Sequence, residues 1–218
     1  MVKSRLRGVF LIASLAGALG CTAMAAAPTV ERIDALPPRA VSDAVRQALQ
    51  DKGYRVTLDD GWSAEFWFAR PLKLEKKDVP GALYPELSNS EFVGVVKFSQ
   101  GMSDYRGQSI PPGLYTLRYE LLPQDGDHMG VSPNPDFLLA SPAADDSRPA
   151  QSYPLIKLAA LSSRSTSTGH PAVIAMEAPG NPSTVTKNDR GEVVFSVSVP
   201  GDSGDEKIGI VIKGSAAQ

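Results

Sequence analysis

The chain has only two histidines in 218 residues, and both stand beside turn-forming residues. His128 lies in Asp125-Gly126-Asp127-His128-Met129-Gly130, and His170 in Gly169-His170-Pro171. If the fold brings them together, they could share a divalent metal with Asp127, Asp136 or Asp104. Two imidazoles and a carboxylate with open coordination positions would suit metal-assisted hydrolysis or an oxygen-activating iron. The stretch from Gln124 to Asp136 also packs Asp125, Asp127, His128, Asn134 and Asp136 closely enough to offer oxygen ligands to a hard cation. Asp125, Asp127, Gly130 and Asp136 fall where a calcium loop places its first, third, sixth and twelfth residues. Met129 breaks that pattern at the fifth. The alternative for all of these is structural, since Asp-Gly and Asn-Pro are ordinary turn pairs and each histidine could hydrogen-bond its own loop.

A second set of residues suggests sugar binding. Trp62, Phe66, Trp67 and Phe68 cluster in sequence, and Tyr105 follows Asp104. Aromatic platforms beside carboxylates bind sugars, whereas buried rings are the commoner use of such a cluster. Alternation puts Phe66 and Phe68 on one strand face, as core, and Trp67 on the other. Trp67, Tyr105 and Asp104 therefore form the ligand-binding candidates. Arg70 and Arg118 are expected to pair with carboxylates on a wet strand face. The sequence has no Gly-x-Ser-x-Gly elbow, His-Glu-x-x-His pair, phosphate-binding glycine loop or dinucleotide fingerprint. No catalytic residue is assigned.

The elements that would position these side chains are mostly strands. Val41, Ala44, Val45, Ala48 and Leu49 recur at helical spacing, which predicts one amphipathic helix over about residues 39–52, ending at Gly53. Beyond it the strand candidates are 54–58, 64–70, 92–98, 114–122, 136–140, 155–158, 172–176, 192–199 and 207–213. In the clearest, Tyr115, Leu117, Tyr119 and Leu121 point one way and Thr116, Arg118 and Glu120 the other, toward water. Pro111-Pro112-Gly113 turns the chain into that strand. Residues 141–152, 162–169 and 178–191 read as surface loops, the middle one a polar run with nothing to bury. The pattern predicts a mainly β protein: an antiparallel β-sandwich, Ig-like or jelly-roll-like, with one N-terminal helix. Residues 26–38 read as a linker, 39–214 as a single domain and 215–218 as a tail.

The N-terminus reads as an export signal. Lys3, Arg5 and Arg7 precede the uncharged apolar run Val9–Gly20, which at about 1.5 Å per residue is too short to cross a bilayer core of about 30 Å. Ala23-Met24-Ala25 offers a cleavage site that makes residues 1–25 a signal peptide and releases a periplasmic or secreted protein. Ala18-Leu19-Gly20-Cys21 instead resembles a bacterial lipobox. Residues 1–20 would then be removed and Cys21 lipidated, giving an outer-membrane lipoprotein anchored only by that lipid. Cys21 is the only cysteine, so no intrachain disulfide can form. Losing the signal leaves 19 basic and 24 acidic residues, a net charge of −5. With no basic patch interleaved with aromatics, nucleic acid is not an expected partner.

Gly113-Leu114-Tyr115-Thr116-Leu117-Arg118-Tyr119, Asp125-Gly126-Asp127-His128-Met129-Gly130, Asp136-Phe137-Leu138-Leu139 and His170-Pro171-Ala172-Val173 carry one further expectation. Over residues 61–176 the chain resembles an uncharacterised group of secreted bacterial β-rich proteins. The resemblance implies export and a β-rich domain, and transfers no catalytic residue. The expected function is a non-catalytic envelope module that binds a small molecule, a glycan or an envelope protein. The alternatives are a metal-dependent enzyme or metal-binding protein using His128, His170 and nearby aspartates, and a carbohydrate-binding module.

Overall fold

The computed structural model describes residues 27–122 and 130–214. The signal segment with Cys21, the loop residues Asp125, Asp127 and His128, and the tail 215–218 lie outside the described residues. In chain order the elements are β1 (Thr29–Ile33), α1 (Asp43–Gln47), β2 (Gly53–Thr57), β3 (Ser63–Phe68) and β4 (Phe92–Phe98). A small hairpin follows, β5 (Met102–Ser103) and β6 (Ser109–Ile110), then β7 (Gly113–Leu121), β8 (Asp136–Pro142) and α2 (Leu155–Ser162). The chain ends with β9 (Ala172–Glu177), β10 (Thr184–Lys187), β11 (Val193–Pro200) and β12 (Asp205–Lys213).

Ten of the strands form one antiparallel sheet in the order β1-β2-β3-β4-β7-β8-β9-β12-β11-β10. Its two edge strands, β1 and β10, approach each other. The result is a nearly closed, barrel-like sheet rather than two stacked sheets. Alternation along each strand shows which face is apolar. It does not say whether the strands divide into two layers or curl into one, because both bury the same face. The interior is filled by rings: Phe66, Phe68, Tyr54 and Phe195 contact one another with centroids 5.2 to 6.3 Å apart.

Curling demands close backbone approach at two places. At Gly94, on the bulged β4, a Cβ would sit 2.4 Å from the Trp67 carbonyl oxygen. At Gly209 a Cβ would sit 2.5 Å from the Glu177 carbonyl oxygen. Gly209 belongs to the weakest seam, where β12 and β9 share only the pairs Gly209↔Glu177 and Ile210↔Met176. Tyr84, a buried loop residue, reinforces that seam by donating its hydroxyl to the Glu177 carbonyl and accepting from the Gly209 N–H at 2.8 Å.

Several expected elements differ. The helix expected over 39–52 shrinks to α1, capped by Ser42 Oγ accepting the Val45 N–H. Beyond Ala48 the backbone turns to strand partners: Gln50 N donates to Phe68 O, Arg70 N to Ala48 O, and Gly53 opens β2. Segment 155–158, expected as a strand, begins α2, since Leu155, Leu158, Ala159 and Ser162 follow the helical spacing after Pro154. The polar run after it is not a free loop. Ser162 and Ser165 are buried, and both hydroxyls donate to the Ala140 carbonyl. The linker contains β1 and the third loop contains β10, both edge strands too polar for alternation to reveal. On β7 the face expected to be wet is buried, with Thr116, Arg118 and Glu120 all inaccessible.

Candidate functional site

The outer face of β7, β8 and β9 carries a second layer, and the candidate site lies there. Register sets Arg118 beside Leu139 and Glu120 beside Phe137 on β7 and β8, and Leu139 beside Val173 on β9. Phe137, Leu139 and Val173 form an apolar strip that buries against Tyr153 and Leu158.

Arg118 fastens the cover. Its Nε and Nη2 grip Asp146 at 2.6 and 3.0 Å, and its remaining N–H groups donate to the carbonyls of Ser90, Gln151 and Arg148. All five guanidinium donors are thereby used. The guanidinium lies 4.9 Å from the Tyr153 ring centroid and 5.7 Å from that of Phe92. Arg118 does pair with a carboxylate, as expected, but inside the protein. Ser90 holds the left-handed φ of 68° and is fixed by three bonds: its N–H donates to Tyr119 O, its carbonyl accepts from Arg118, and its hydroxyl accepts from Tyr153 N–H. That strain is explained by support of the cover. Arg70 pairs with Asp51 at the surface.

Glu120 is the exception in this layer. It is fully buried, and neither carboxylate oxygen has a hydrogen-bond partner. Burial pushes its pKa up to about 7, with the nearby Leu121 and Ser90 backbone N–H groups offsetting only part of that.

Beside this layer, between α2, the strip and the small hairpin, is a groove of about 250 Å³. Leu122, Val131, Phe137, Leu139, Leu155 and Val173 line its body. Leu122 and Val131 flank residues 123–129. Its polar lining side chains are Arg106, from the hairpin turn, and the exposed His170. Neither the Arg106 guanidinium nor the His170 imidazole has a partner among the described residues. Other surface clefts differ. In the cleft of about 410 Å³ near Ser90 the carboxylates and Arg70 are already engaged: Arg70 bonds Asp51, Glu91 accepts the Lys73 N–H, and Glu75 bonds Lys77.

The sequence candidates take the following places. Asp104 is buried and organises the hairpin: its carboxylate accepts Gln108 N–H at 2.8 Å, Gln108 Nε2 at 2.7 Å and Val173 N–H at 3.3 Å. Tyr105 is half-buried, packs beside Ala175, Val194 and Val211, and donates its N–H to Val173 O. Together these bonds clamp the hairpin to the start of β9 and so set Arg106 at the groove. Asp136 is buried, its carboxylate accepting from Leu83 N–H, Tyr84 N–H and the Tyr119 hydroxyl at 2.7, 3.0 and 2.8 Å. Burial beside that carboxylate raises the Tyr119 hydroxyl pKa far above its ordinary value.

Asp104 and Asp136 are thus committed to protein donors, and among the described residues no three His, Cys, Asp or Glu side chains gather to hold a metal. The candidates Asp125, Asp127 and His128 lie outside those residues. Trp67 is corrected from a ligand platform to a buried residue whose Nε1 donates to Ala35 O at 2.8 Å. Its face of β3 is covered by the chain before α1, which alternation within one strand cannot reveal.

Sequence reasoning singled out His170 but not Arg106. The signal was present in Asp104-Tyr105-Arg106-Gly107, a tight turn with a base at its tip. Compared with family models, curated proteins and solved structures, the chain matches none of them.

Proposed function

We propose that this chain is an exported envelope protein whose role is binding rather than catalysis, and that the outer groove is its ligand site. One observation carries the reading. The groove presents an apolar lining and two nitrogen-bearing side chains with no partner among the described residues, while Asp104 and Asp136 are spent on backbone, Gln108 amide and tyrosine donors. Convergent polar groups on an apolar concavity are the usual form of a small-molecule site. The Lys3–Arg7 charges, the apolar run to Gly20 and the resemblance to secreted β-rich proteins support export, to the periplasm or, through Cys21, to the outer membrane.

The reading is tested on protein purified from its native envelope, extracted into organic solvent and analysed by mass spectrometry. Wild type is expected to retain a small molecule that Ala159→Trp, which fills the groove, does not; circular dichroism confirms that the variant folds. Equal retention by both would overturn the site. Stoichiometric metal lost in His128→Ala/His170→Ala would overturn the binding role in favour of a metal-dependent one.

A further inference from the structure

Taking the groove as the ligand site, we propose that its ligand is a free, short-chain aliphatic carboxylate, with Arg106 receiving the carboxylate and the apolar walls receiving the chain. The lining decides the class. Its body is aliphatic apart from Phe137, so it favours methylene chains over polar or flat, heavily hydroxylated molecules. Among the described residues, the polar lining side chains at the rim are Arg106 and His170, and none of the lining residues carries a carboxylate. A carboxylate accepts two parallel N–H bonds from a guanidinium, the geometry an unpartnered arginine offers. A volume of about 250 Å³ lies below the usual range of about 300–1,000 Å³ for ligand pockets, which limits the occupant to a short chain. Arg106 is also not free to swing away as a whole. Its turn is clamped by Asp104, by Gln108 Nε2 donating to Pro171 O at 3.0 Å, and by Tyr105 N–H on Val173 O.

Isothermal titration of the purified protein with octanoate and, separately, with the neutral analogue octanol tests this. Octanoate is expected to bind the wild type more tightly than octanol. Arg106→Ala should weaken octanoate by about tenfold, the loss of one exposed charge-assisted contact, and leave octanol unchanged. Raising the salt concentration should weaken octanoate alone. Because Arg106 is exposed, its removal leaves the packed layers intact. If octanol matches octanoate and Arg106→Ala changes neither, the carboxylate class is wrong while the groove remains a binding site. If neither ligand binds, the groove reading itself falls. If free octanoate is silent and the protein instead sediments with anionic phospholipid vesicles, the ligand is a membrane surface and the proposal is overturned.

Discussion

Replacing Glu120 by glutamine removes a charge that the fold gives no partner. Glu120 lies on β7 beside Phe137 of β8, with no accessible surface and no hydrogen bond to either oxygen. The nearest cation along its face, Arg118, has its donors committed to Asp146 and three carbonyls. Burial raises the carboxyl from 4.5 to about 7. Between those values the folded protein holds a proton that the unfolded chain has released, so stability falls as pH rises through that window. At about 1.4 kcal/mol for each tenfold, the full penalty is roughly 3 kcal/mol above pH 7 and under about 1 kcal/mol near pH 5. Glutamine cannot ionise. Its own unsatisfied amide costs the same at every pH, so the readout is the change between two pH values. Thermal unfolding of both proteins at pH 5 and pH 8 should show the variant gaining about 2 kcal/mol relative to wild type, or roughly 4–8 °C in Tm for a chain of this size. Glu91 and Glu206, whose pKa values are also raised by burial, are present in both proteins and cancel. An identical difference at both pH values would show that Glu120 is ionised and solvated, and would refute the reasoning.

Arg118→Ala should cost about 3–5 kcal/mol in urea unfolding, because it strands Asp146 in the interior; a loss under about 1 kcal/mol would mean the cover is not anchored there. Gly209→Ala should destabilise by about 1–3 kcal/mol, since the new methyl meets the Glu177 carbonyl across the shortest strand pairing; hydrogen exchange should quicken first at β9 and β12, and uniform quickening would contradict a local seam. Cleavage before Ala26 requires that Cys21→Ser leave fractionation unchanged, whereas its release from the membrane fraction would establish a lipid anchor at Cys21.

The strand content was legible because Phe92–Phe98, Leu114–Leu121, Val193–Val199 and Ile208–Ile212 put apolar residues on a common inner face. The closure was not, because it depends on which strands become neighbours, and β9-to-β12 pairing joins segments separated by two others. The outer layer was hidden for a different reason. A half-polar strand face is read as wet unless something covers it, and the cover comes from residues 143–165, which the sequence divides into surface loops around a short strand at 155–158 rather than a packed layer. At the site, His170 and the Asp104-Tyr105 turn attracted notice for metal and sugar chemistry, yet Asp104 works as a backbone clamp. Arg106 drew no notice because a base at the tip of a tight turn is common, and the turn alone does not show what it faces. Only its placement over an aliphatic groove distinguishes it.

Whether the outer groove is the working site is most directly measured by methyl-labelled NMR during titration with octanoate. Occupancy predicts shifts concentrated on Leu122, Val131, Leu139, Leu155 and Val173, with the interior methyls of Leu117, Val197 and Ile210 unmoved. Shifts confined to the interior or to the cleft around Pro149, or none at saturating ligand, would contradict it.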